Sequence, residues 1–476
     1  MRFLLIAALT ALPALSQAQN RSASAADSAL VGRILLAEDR RDSTDAALGE
    51  GSRHGDPRIQ LLAQRARGRI RDSLFTARDS LPGLSAPPVW PEPAWRLRFR
   101  ALTAQRHNCD ALRTALADSA WPVRLRAADL LPVTCATDDS VAATLRRWVD
   151  AIPADASRRA AGGVSWHPAA HAIVALARLR PGDTRTRLNR LATHRQWQVR
   201  MYAARAAAVL PDTTMLRAFA RDRDDNVKEA AIDALSKLSG HGDDAVFIAA
   251  LDADGAQAVR AAAVALKGSP RSEAGAAANA AFERWAARGI ASARDARVAL
   301  LDAAGRPASD DRPPPPRYHL PPDAVALALG KDVRLRVTLS PASGGGSFVI
   351  RLRGDVAPMM AARILQLARS GYYDHGNWHR VEADFVIQGA GPGTNEYVGY
   401  SQYLRDELGT IPHPRGTVGM STRGHDSGDA QWFINLKDNP RLQRDYTVFG
   451  EVIEGIDVVD GILEGDVIAT IREVAH

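Results

Sequence analysis

The residues Val333-Arg-Leu-Arg-Val-Thr-Leu339 alternate apolar with polar side chains, and Phe348-Val-Ile-Arg-Leu352 alternates again after a glycine-rich stretch. A period of two places the apolar side chains of a strand on one face. The glycine-rich stretch between the two runs, residues 341–347, is typical of a turn. The two runs therefore predict a β-hairpin.

Further strand-like runs follow the hairpin along the chain. They lie at 385–388, 418–420, 431–435, 448–453 and 467–474. Asp355 can cap a helix from about Pro358 to Arg369, and Gly371 would close it. About eight strands with two helices in the 146 residues of 331–476 predict a closed, antiparallel, mainly β barrel.

Four motifs occur in order within this region. They are Gly371-Tyr-Tyr-Asp-His-Gly-Asn-Trp-His-Arg-Val381 with Asp384-Phe-Val-Ile-Gln-Gly389, Arg415-Gly-Thr-Val-Gly-Met420, Asp429-Ala-Gln-Trp-Phe-Ile-Asn435 and Tyr446-Thr-Val-Phe-Gly-Glu-Val-Ile453. In order and spacing they resemble the signatures of the cyclophilin family of peptidyl-prolyl isomerases, and the similarity spans essentially all of 333–474. The resemblance implies a cyclophilin barrel that catalyses rotation about X–Pro bonds.

The resemblance also implies a set of site residues. Arg380 corresponds to the catalytic arginine, which donates toward the proline carbonyl and nitrogen, and Gln388 to the glutamine that orients substrate and arginine. The implied substrate-binding residues are Phe385, Val386, Gln431, Phe433, Leu442 and Tyr446. Because rotation about an amide bond needs only an apolar slot and well-placed donors, no cofactor and no metal ion is predicted.

Three features depart from the family pattern. Tyr446 stands where many relatives have His, and Arg441 falls where a Trp supports cyclosporin binding, so weak inhibition by that drug is expected. In the segment 421–428, the bulky Arg423 is expected to narrow the pocket beside the residue that precedes proline. This changed segment leaves an alternative open, a non-catalytic scaffold whose barrel only binds proline-containing segments.

The region from about Ser24 to Arg306 repeats one pattern, in which a helical stretch is followed by a turn marked by Asp or Trp and then by an Ala-rich helix. The clearest copies start at Trp121, Trp197, Asp225 and Gln257. From Trp166 onward the starts lie 31, 28 and 32 residues apart. This period predicts an all-α solenoid, because a single helix pair cannot bury its apolar stripe alone. The pattern resembles HEAT repeats, which implies protein–protein recognition.

A proline-rich linker is predicted between the two regions, at residues 307–330. Six prolines between Ser309 and Pro322 disfavour a helix there and favour an extended spacer. The formal charge also divides the chain, since residues 331–476 carry a net charge of −4 and residues 1–330 carry +11. The charge difference supports two separate domains.

The first residues predict export. Met1-Arg2 precedes an apolar run from Phe3 to Leu15, and a small-x-small end at Ala18 is typical of a cleavable signal peptide. The mature protein is therefore predicted to be periplasmic or secreted, with no membrane span. The pI near 9.7 raises the question of nucleic acid, but an exported protein rarely meets any, so no nucleic-acid partner is predicted. Cys109 and Cys135 could form a disulfide or lie as free buried residues, and both alternatives stay open.

Together these patterns predict a multidomain protein. Its parts are a signal peptide (1–18), a HEAT-like α-solenoid (24–306), a Pro-rich linker (307–330) and a cyclophilin-like domain (331–476). The predicted function is isomerisation of X–Pro bonds in exported, proline-containing polypeptides, with an unidentified protein partner on the solenoid. A solenoid that binds polyanions such as surface polysaccharide is a third possibility.

Overall fold

A computed structural model describes residues 23–72, 86–153, 165–312, 318–391 and 393–474. The described chain divides into two compact units. The first unit contains the described residues up to Pro91 together with those of Pro315–Ser340 and Gly345–His476, and the second contains those of Glu92–Pro314 and Pro341–Gly344. The predicted signal peptide lies outside the described residues. No helix in the described ranges is both long and apolar enough to cross a membrane.

Three helices of the first unit come first in the chain. They are α1 (Ala25–Arg40), α2 (Ala46–Ser52) and α3 (Pro57–Arg71). Each follows a capping residue, because the side chains of Ser24, Asp45 and Asp56 accept hydrogen bonds from backbone amides of the first helical turn. These caps fix where the three helices begin.

The described residues of the second unit form helices joined by turns and short loops. Its helices are α4 (Ala94–Ala104), α5 (Cys109–Ala115), α6 (Trp121–Leu130), α7 (Asp139–Asp150), α8 (His167–Leu179), α9 (Pro181–Ala192), α10 (Trp197–Val209), α11 (Thr213–Phe219), α12 (Asp225–Ser239), α13 (Asp244–Ala250), α14 (Ala256–Leu266), α15 (Ser272–Ala287) and α16 (Arg294–Ala303). Helices α6, α8, α10, α12 and α14 begin at or within one residue of the predicted repeat starts. Their alanines are mostly buried, which lets neighbouring helices approach closely. The predicted helical repeats are confirmed.

Polar contacts join successive repeats. Arg200 of α10 donates two hydrogen bonds to Asp222, at 2.7 and 2.8 Å, and Arg260 of α14 donates to Glu229 of α12 at 2.6 Å. Near the start of the unit, Cys109 and Cys135 form a disulfide with their Cα atoms 5.5 Å apart. Of the two alternatives for these cysteines, the structure contains the disulfide.

The first unit resumes with α17 (Ala324–Ala328) and an antiparallel sheet. Its strands are β1 (Arg334–Leu339), β2 (Ser347–Leu352), β3 (Arg380–Val381), β4 (Val386–Gly389), β5 (Thr417–Met420), β6 (Trp432–Asn435), β7 (Val448–Glu454) and β8 (Ile468–Val474). They lie in the order β3-β4-β6-β5-β7-β2-β1-β8. The predicted hairpin is β1 with β2, in which Leu335 pairs with Ile350.

Backbone contacts join the two ends of the sheet. Asn377, just before β3, bridges to Val467, just before β8. The Trp378 amide also donates to the Asp466 carbonyl at 2.9 Å. The sheet thus curls into a barrel, accompanied by α18 (Pro358–Arg369) and α19 (Ile456–Asp460). The predicted fold class, helical repeats followed by a mainly β barrel with two helices, is confirmed.

Helices α1 to α3 pack with the barrel. The predicted domain boundaries instead place them in the solenoid of 24–306. The buried side chains of Ile34 and Leu62 belong to the same hydrophobic core as Leu327 of α17, Met360 of α18 and Ile350 of β2. The apolar faces of these helices are therefore covered by the barrel unit.

The predicted linker, residues 307–330, also differs in part from the structure. Residues 313–317 lie outside the described residues, but Ala324–Ala328 forms α17. Ala324, Leu327 and Ala328 are fully buried in the core of the first unit. The prolines end at Pro322, so the apolar residues that follow are free to form a helix and to join the core.

Candidate active site

Arg380 begins β3, which pairs with β4 so that Arg380 lies opposite Gln388. Its Nη1 donates a hydrogen bond to Gln388 Oε1 at 3.1 Å. Gln388 is buried, and its Nε2 donates to Ser421 Oγ at 2.9 Å. The Arg380 side chain is 45% exposed. The guanidinium is therefore oriented by a buried amide and remains accessible to a ligand.

Strand alternation puts the neighbouring site residues on the outer face of the sheet. In β4, Ile387 points into the barrel core, so Val386 and Gln388 point to the opposite face. In β6, Trp432 and Ile434 lie in the core, and Phe433 points outward. Since β4 pairs with β6, these outward side chains meet on one surface.

Val386, Phe433 and Leu442 form an apolar cluster separate from the barrel core. Phe385 and Tyr446 pack against it, and the rings of Tyr446 and Phe433 are perpendicular with centroids 5.5 Å apart. A cluster of this kind provides an apolar surface on which a proline ring can be buried.

Gly419 of β5 makes room for the Phe433 ring. A Cβ on Gly419 would lie 2.4 Å from Phe433 Cζ, closer than such atoms can approach. The ring therefore lies directly over the backbone of β5, and only glycine permits this position.

These groups surround one cavity of about 140 Å³. All eight predicted site residues line it, namely Arg380, Phe385, Val386, Gln388, Gln431, Phe433, Leu442 and Tyr446. The lining residues absent from that prediction are Glu396, Ser421, Thr422, Arg423, Ser427 and Asp429. The cavity is thus lined by the apolar cluster together with a set of polar side chains.

Gln431 ties a neighbouring loop to the cavity. Its Nε2 donates to the Val398 carbonyl at 2.6 Å and to the Asn395 carbonyl at 2.9 Å. Its own backbone amide donates to Asp429 Oδ1 at 3.2 Å. Burial raises the pKa of Asp429, although the bonds from backbone amides oppose that rise. Gln431 therefore lines the cavity and also holds the neighbouring 395–398 loop in place.

Arg423 lines the cavity, and its guanidinium is held at the rim. It donates to the Glu396 carbonyl and to the Tyr403 hydroxyl, the latter at 3.2 Å, and it lies over the Tyr397 ring. The Arg423 backbone amide donates to Ser427 Oγ at 2.9 Å. Arg423 thus lines the cavity with a side chain that its neighbours hold in place, and the narrowing of the pocket stays a prediction.

Arg441 occupies the other side of the apolar wall. Its guanidinium carbon lies 4.3 Å from the centre of the Phe385 ring, and that of Arg380 lies 5.9 Å from the same ring. The Phe385 ring therefore lies near two cations, and each cation is attracted to the negative face of the ring.

His413 supports the site from behind, and sequence reasoning did not single it out. Its ring stacks on Phe433 with centroids 6.1 Å apart, and its Nε2 lies 3.1 Å from the Tyr446 carbonyl oxygen. Burial lowers the pKa of His413 to about 4, so the ring is neutral at pH 7. The only sequence signal is its position between Pro412 and Pro414 in an otherwise irregular loop.

Comparison with known proteins assigns the family. The family described as "Cyclophilin type peptidyl-prolyl cis-trans isomerase/CLD" matches residues 336–474. A peptidyl-prolyl cis-trans isomerase of Helicobacter pylori is 35% identical over 130 residues, which cover 26% of this chain and 80% of that protein. The chain belongs to the cyclophilin-type peptidyl-prolyl cis-trans isomerase family.

Two further proteins are similar to this chain. Peptidyl-prolyl cis-trans isomerase B of Bacillus subtilis is 34% identical over 131 residues, which cover 27% of this chain and 91% of that protein. A solved cyclophilin-type isomerase of Cryptosporidium parvum is 22% identical and has a TM-score of 0.29, covering 31% of this chain and 99% of that one. The family described as "HEAT repeats" matches residues 184–267, which include α10, α12 and α14. The chain therefore combines a cyclophilin barrel with HEAT repeats.

Proposed function

We propose that the cavity beside Arg380 catalyses cis-trans isomerisation of X–Pro bonds in polypeptides. Rotation about such a bond meets a barrier of about 20 kcal/mol because it disrupts amide resonance. The observation that carries the proposal is the position of the Arg380 guanidinium, which Gln388 orients next to the apolar wall of Val386, Phe433 and Leu442.

The apolar wall binds the pyrrolidine ring, and the arginine acts on the amide. As the amide twists, its nitrogen becomes pyramidal and its lone pair is no longer delocalised into the carbonyl, so a positioned N–H can donate to it. Such a donor stabilises the twisted amide more than the planar one, and this difference lowers the barrier. Arginine keeps its charge at every physiological pH, so no proton transfer is needed.

Gln388 and Ser421 hold the arginine in place. Gln388 accepts from Arg380 and donates to Ser421, so its amide cannot turn over without breaking one of the two bonds. A preorganised donor loses less entropy when the twisted amide forms.

The test is a protease-coupled assay of a short X–Pro peptide near 10 °C, where the uncatalysed reaction is slow. We expect strong acceleration by the wild type and its loss in Arg380→Ala. Arg336→Ala is the matched control, because Arg336 is an exposed arginine of β1. It bonds Ser347, and neither residue lines the cavity. No acceleration by folded wild type, with several residues before proline, would favour the non-catalytic binding scaffold.

We propose further that the helical repeats bind protein clients and raise their concentration at the barrel. Val209, Leu238 and Val264 support this role, since they are large apolar residues near the ends of α10, α12 and α14, which belong to successive repeats. Their exposed fractions are 38%, 44% and 54%. Helical repeats stack into extended surfaces that bind other proteins, and exposed apolar side chains on neighbouring repeats would supply apolar contacts on such a surface.

This role is tested with the double variant Leu238→Ser/Val264→Ser. We expect it to slow the refolding of a protein limited by proline isomerisation and to leave activity on a short peptide unchanged. Val133→Ser is the control, since Val133 is 65% exposed and lies in an earlier turn of the same unit. Equal refolding rates for all three proteins would remove the support for client binding.

We also propose that the protein is exported after cleavage at Ala18. The apolar run from Phe3 to Leu15 supports export, and the disulfide between Cys109 and Cys135 suits an oxidising compartment. The N-terminal residue of the protein purified from a periplasmic or culture fraction should be Gln19. A chain beginning at Met1 in the cytosolic fraction would contradict the proposal.

A further inference from the structure

Arg69 of α3 is a buried arginine that contacts the barrel. Its Nη1 donates to Glu38 Oε1 of α1 at 2.6 Å, and its Nη2 donates to the Leu408 and Val356 carbonyls at 2.6 and 3.0 Å. Its Nε donates to the same Leu408 oxygen at 3.2 Å. Only 1% of the side chain is exposed. A cation buried this deeply is held in one orientation, because each lost bond would leave it unpaired away from water.

Leu408 ends a segment, residues 404–408, that bonds the sequence neighbours of cavity residues at two places. At the first place, the Glu407 amide donates to Thr447 Oγ1 at 2.9 Å, and Thr447 follows Tyr446 of the apolar cluster. At the second place, the Leu404 amide donates to the Gly428 carbonyl at 2.7 Å. The 404–408 segment thus links Arg69 to the sequence neighbours of cavity residues.

The second of these links continues along the segment 421–428. The Asp406 amide donates to Asp426 Oδ1 at 2.8 Å, and Asp406 Oδ2 accepts from the Asp426 amide at 3.1 Å. His425 Nδ1 lies 2.9 Å from Asp406 Oδ2. One backbone bond, from Leu404 to Gly428, and the carboxylates of Asp406 and Asp426 therefore fix the position of 425–428 relative to 404–408.

Arg41, just after α1, gives a parallel connection. Its Nη1 donates to the Arg69 carbonyl at 2.9 Å, and its Nη2 lies 3.7 Å from Asp426 Oδ1. Arg405 donates to the other oxygen of Asp426 at 2.9 Å. The N-terminal helices and the cavity segment are thus joined by charged groups as well as by the backbone.

We infer that Arg69 is a positioning residue for the isomerase, and that α1 to α3 belong to its catalytic unit. Arg69 fixes the 404–408 segment, which holds the cavity residues Arg423 and Ser427 through their neighbours. This inference rests on catalysis at the Arg380 cavity. It assigns to the N-terminal helices a role in the choice of substrate, because Arg423 lines the cavity and is expected from the sequence to lie beside the residue that precedes proline.

The measurement must distinguish a change in the position of the 421–428 segment from a loss of folded protein. A variant that merely unfolds part of the protein lowers kcat/KM for every peptide by the same factor, since only the active concentration falls. A variant that moves the 421–428 segment changes the ratio of kcat/KM between peptides that differ only before proline. The ratio does not depend on how much of the protein is folded.

The experiment compares full-length wild type, Arg69→Met and Arg65→Met on Ala-Pro and Glu-Pro peptides. Arg65 is a matched control, because it is a buried arginine of α3 that also contacts Glu38 but donates to the Asp355 carbonyl instead of to Leu408. We expect Arg69→Met to change the ratio by about threefold or more and Arg65→Met to leave it unchanged. Equal ratios in all three proteins would overturn the inference.

A second variant guards against failure of Arg69→Met to fold. Arg41→Ala removes the parallel connection at a half-buried position, and we expect it to shift the same ratio in the same direction. Suppose that the wild type is active, that Arg380→Ala is inactive, and that Arg41→Ala and Arg69→Met both have the wild-type ratio. This result would disprove the positioning role and leave the proposed isomerase function intact. Inactive wild type would instead remove the proposed function on which the inference rests.

Discussion

Arg380 and Gln388 lie opposite each other on β3 and β4, with Nη1 of the arginine 3.1 Å from Oε1 of the glutamine. The exposed cation is therefore oriented by a buried neutral group and not by a carboxylate, whose charge would offset its own. Among the described residues, Arg380 also forms a long ion pair with Glu382, in which Nε lies 3.9 Å from Oε1. The guanidinium thus keeps most of its capacity to donate to a substrate.

The first prediction concerns Gln388→Leu. The substitution removes the acceptor that orients Arg380 and leaves Ser421 without its bond from Gln388, so we expect kcat/KM to fall about tenfold, the equivalent of one charge-assisted hydrogen bond. The protease-coupled assay measures the effect. Gln366→Leu, an exposed glutamine of α18, should keep wild-type activity. Full activity in Gln388→Leu would mean that Arg380 needs no orientation by this amide.

The second prediction concerns Gly419→Ala. The added Cβ would overlap the Phe433 ring, which must move toward the cavity because β5 backbone lies behind it. We expect the free energy of unfolding to fall by about 1–3 kcal/mol. We also expect kcat/KM to fall by more than the loss of folded protein accounts for. Chemical denaturation and the peptide assay report the two effects separately.

The control for this variant is Gly275→Ala in helix α15 of the second unit. A Cβ there meets nothing within 4 Å, so the substitution should leave activity unchanged and stabilise the helix slightly. Gly419→Ala with unaltered activity would show that the cavity tolerates a displaced Phe433.

The barrel and its site were largely predictable from the sequence. The alternation in 333–339 and 348–352 gives the hairpin, and the four motifs contain all the predicted cavity residues except Leu442, which precedes the last motif. These features depend on patterns local to single strands, and each motif contains most of at least one strand.

The packing of α1 to α3 could not be predicted in the same way. An amphipathic helix shows that one face is buried but does not show what covers it. The turn at Asp56-Pro-Arg58 resembles the repeat turns, so the sequence places these helices with the solenoid. Arg69 lies among Arg65, Arg67 and Arg71, and only the three-dimensional structure shows which of the four contacts the 404–408 segment.

The third prediction concerns Arg441→Trp. By family resemblance this position holds a Trp in cyclosporin-sensitive members, and here the Arg441 guanidinium covers the Phe385 ring at 4.3 Å. We expect weak inhibition of the wild type by cyclosporin. Replacing the cation by an indole should lower the inhibitory concentration about tenfold, an effect of about 1.4 kcal/mol.

Arg441→Leu serves as the control, since it removes the charge without supplying the indole. Inhibition measured in the peptide assay should improve little in this variant. Nanomolar inhibition of the wild type would contradict the prediction, because Arg441 would then be compatible with tight binding.

The last prediction concerns Glu407 and the pH dependence of stability. Burial raises the pKa of Glu407 to about 7, against the attraction of Arg69 and Arg65, while Glu38 adds to the rise. The Met360 amide donates to its Oε2 at 2.8 Å. Between an unfolded pKa near 4.5 and this value, the folded protein holds a proton that the unfolded chain has lost. Stability from this group should therefore decrease as the pH rises through that interval, by up to about 3 kcal/mol.

Buried histidines oppose this trend. Burial lowers the pKa of His413 to about 4, so its contribution to stability decreases as the pH falls below about 6.5. Comparing wild type with Glu407→Gln cancels the histidine effect, and glutamine can still accept the Met360 bond. Denaturation at pH 5 and pH 8 should show that Glu407→Gln gains stability relative to wild type at the higher pH. A stability difference that stays constant between the two pH values would show that Glu407 is ionised in the folded protein throughout, with its charge balanced by Arg69 and Arg65.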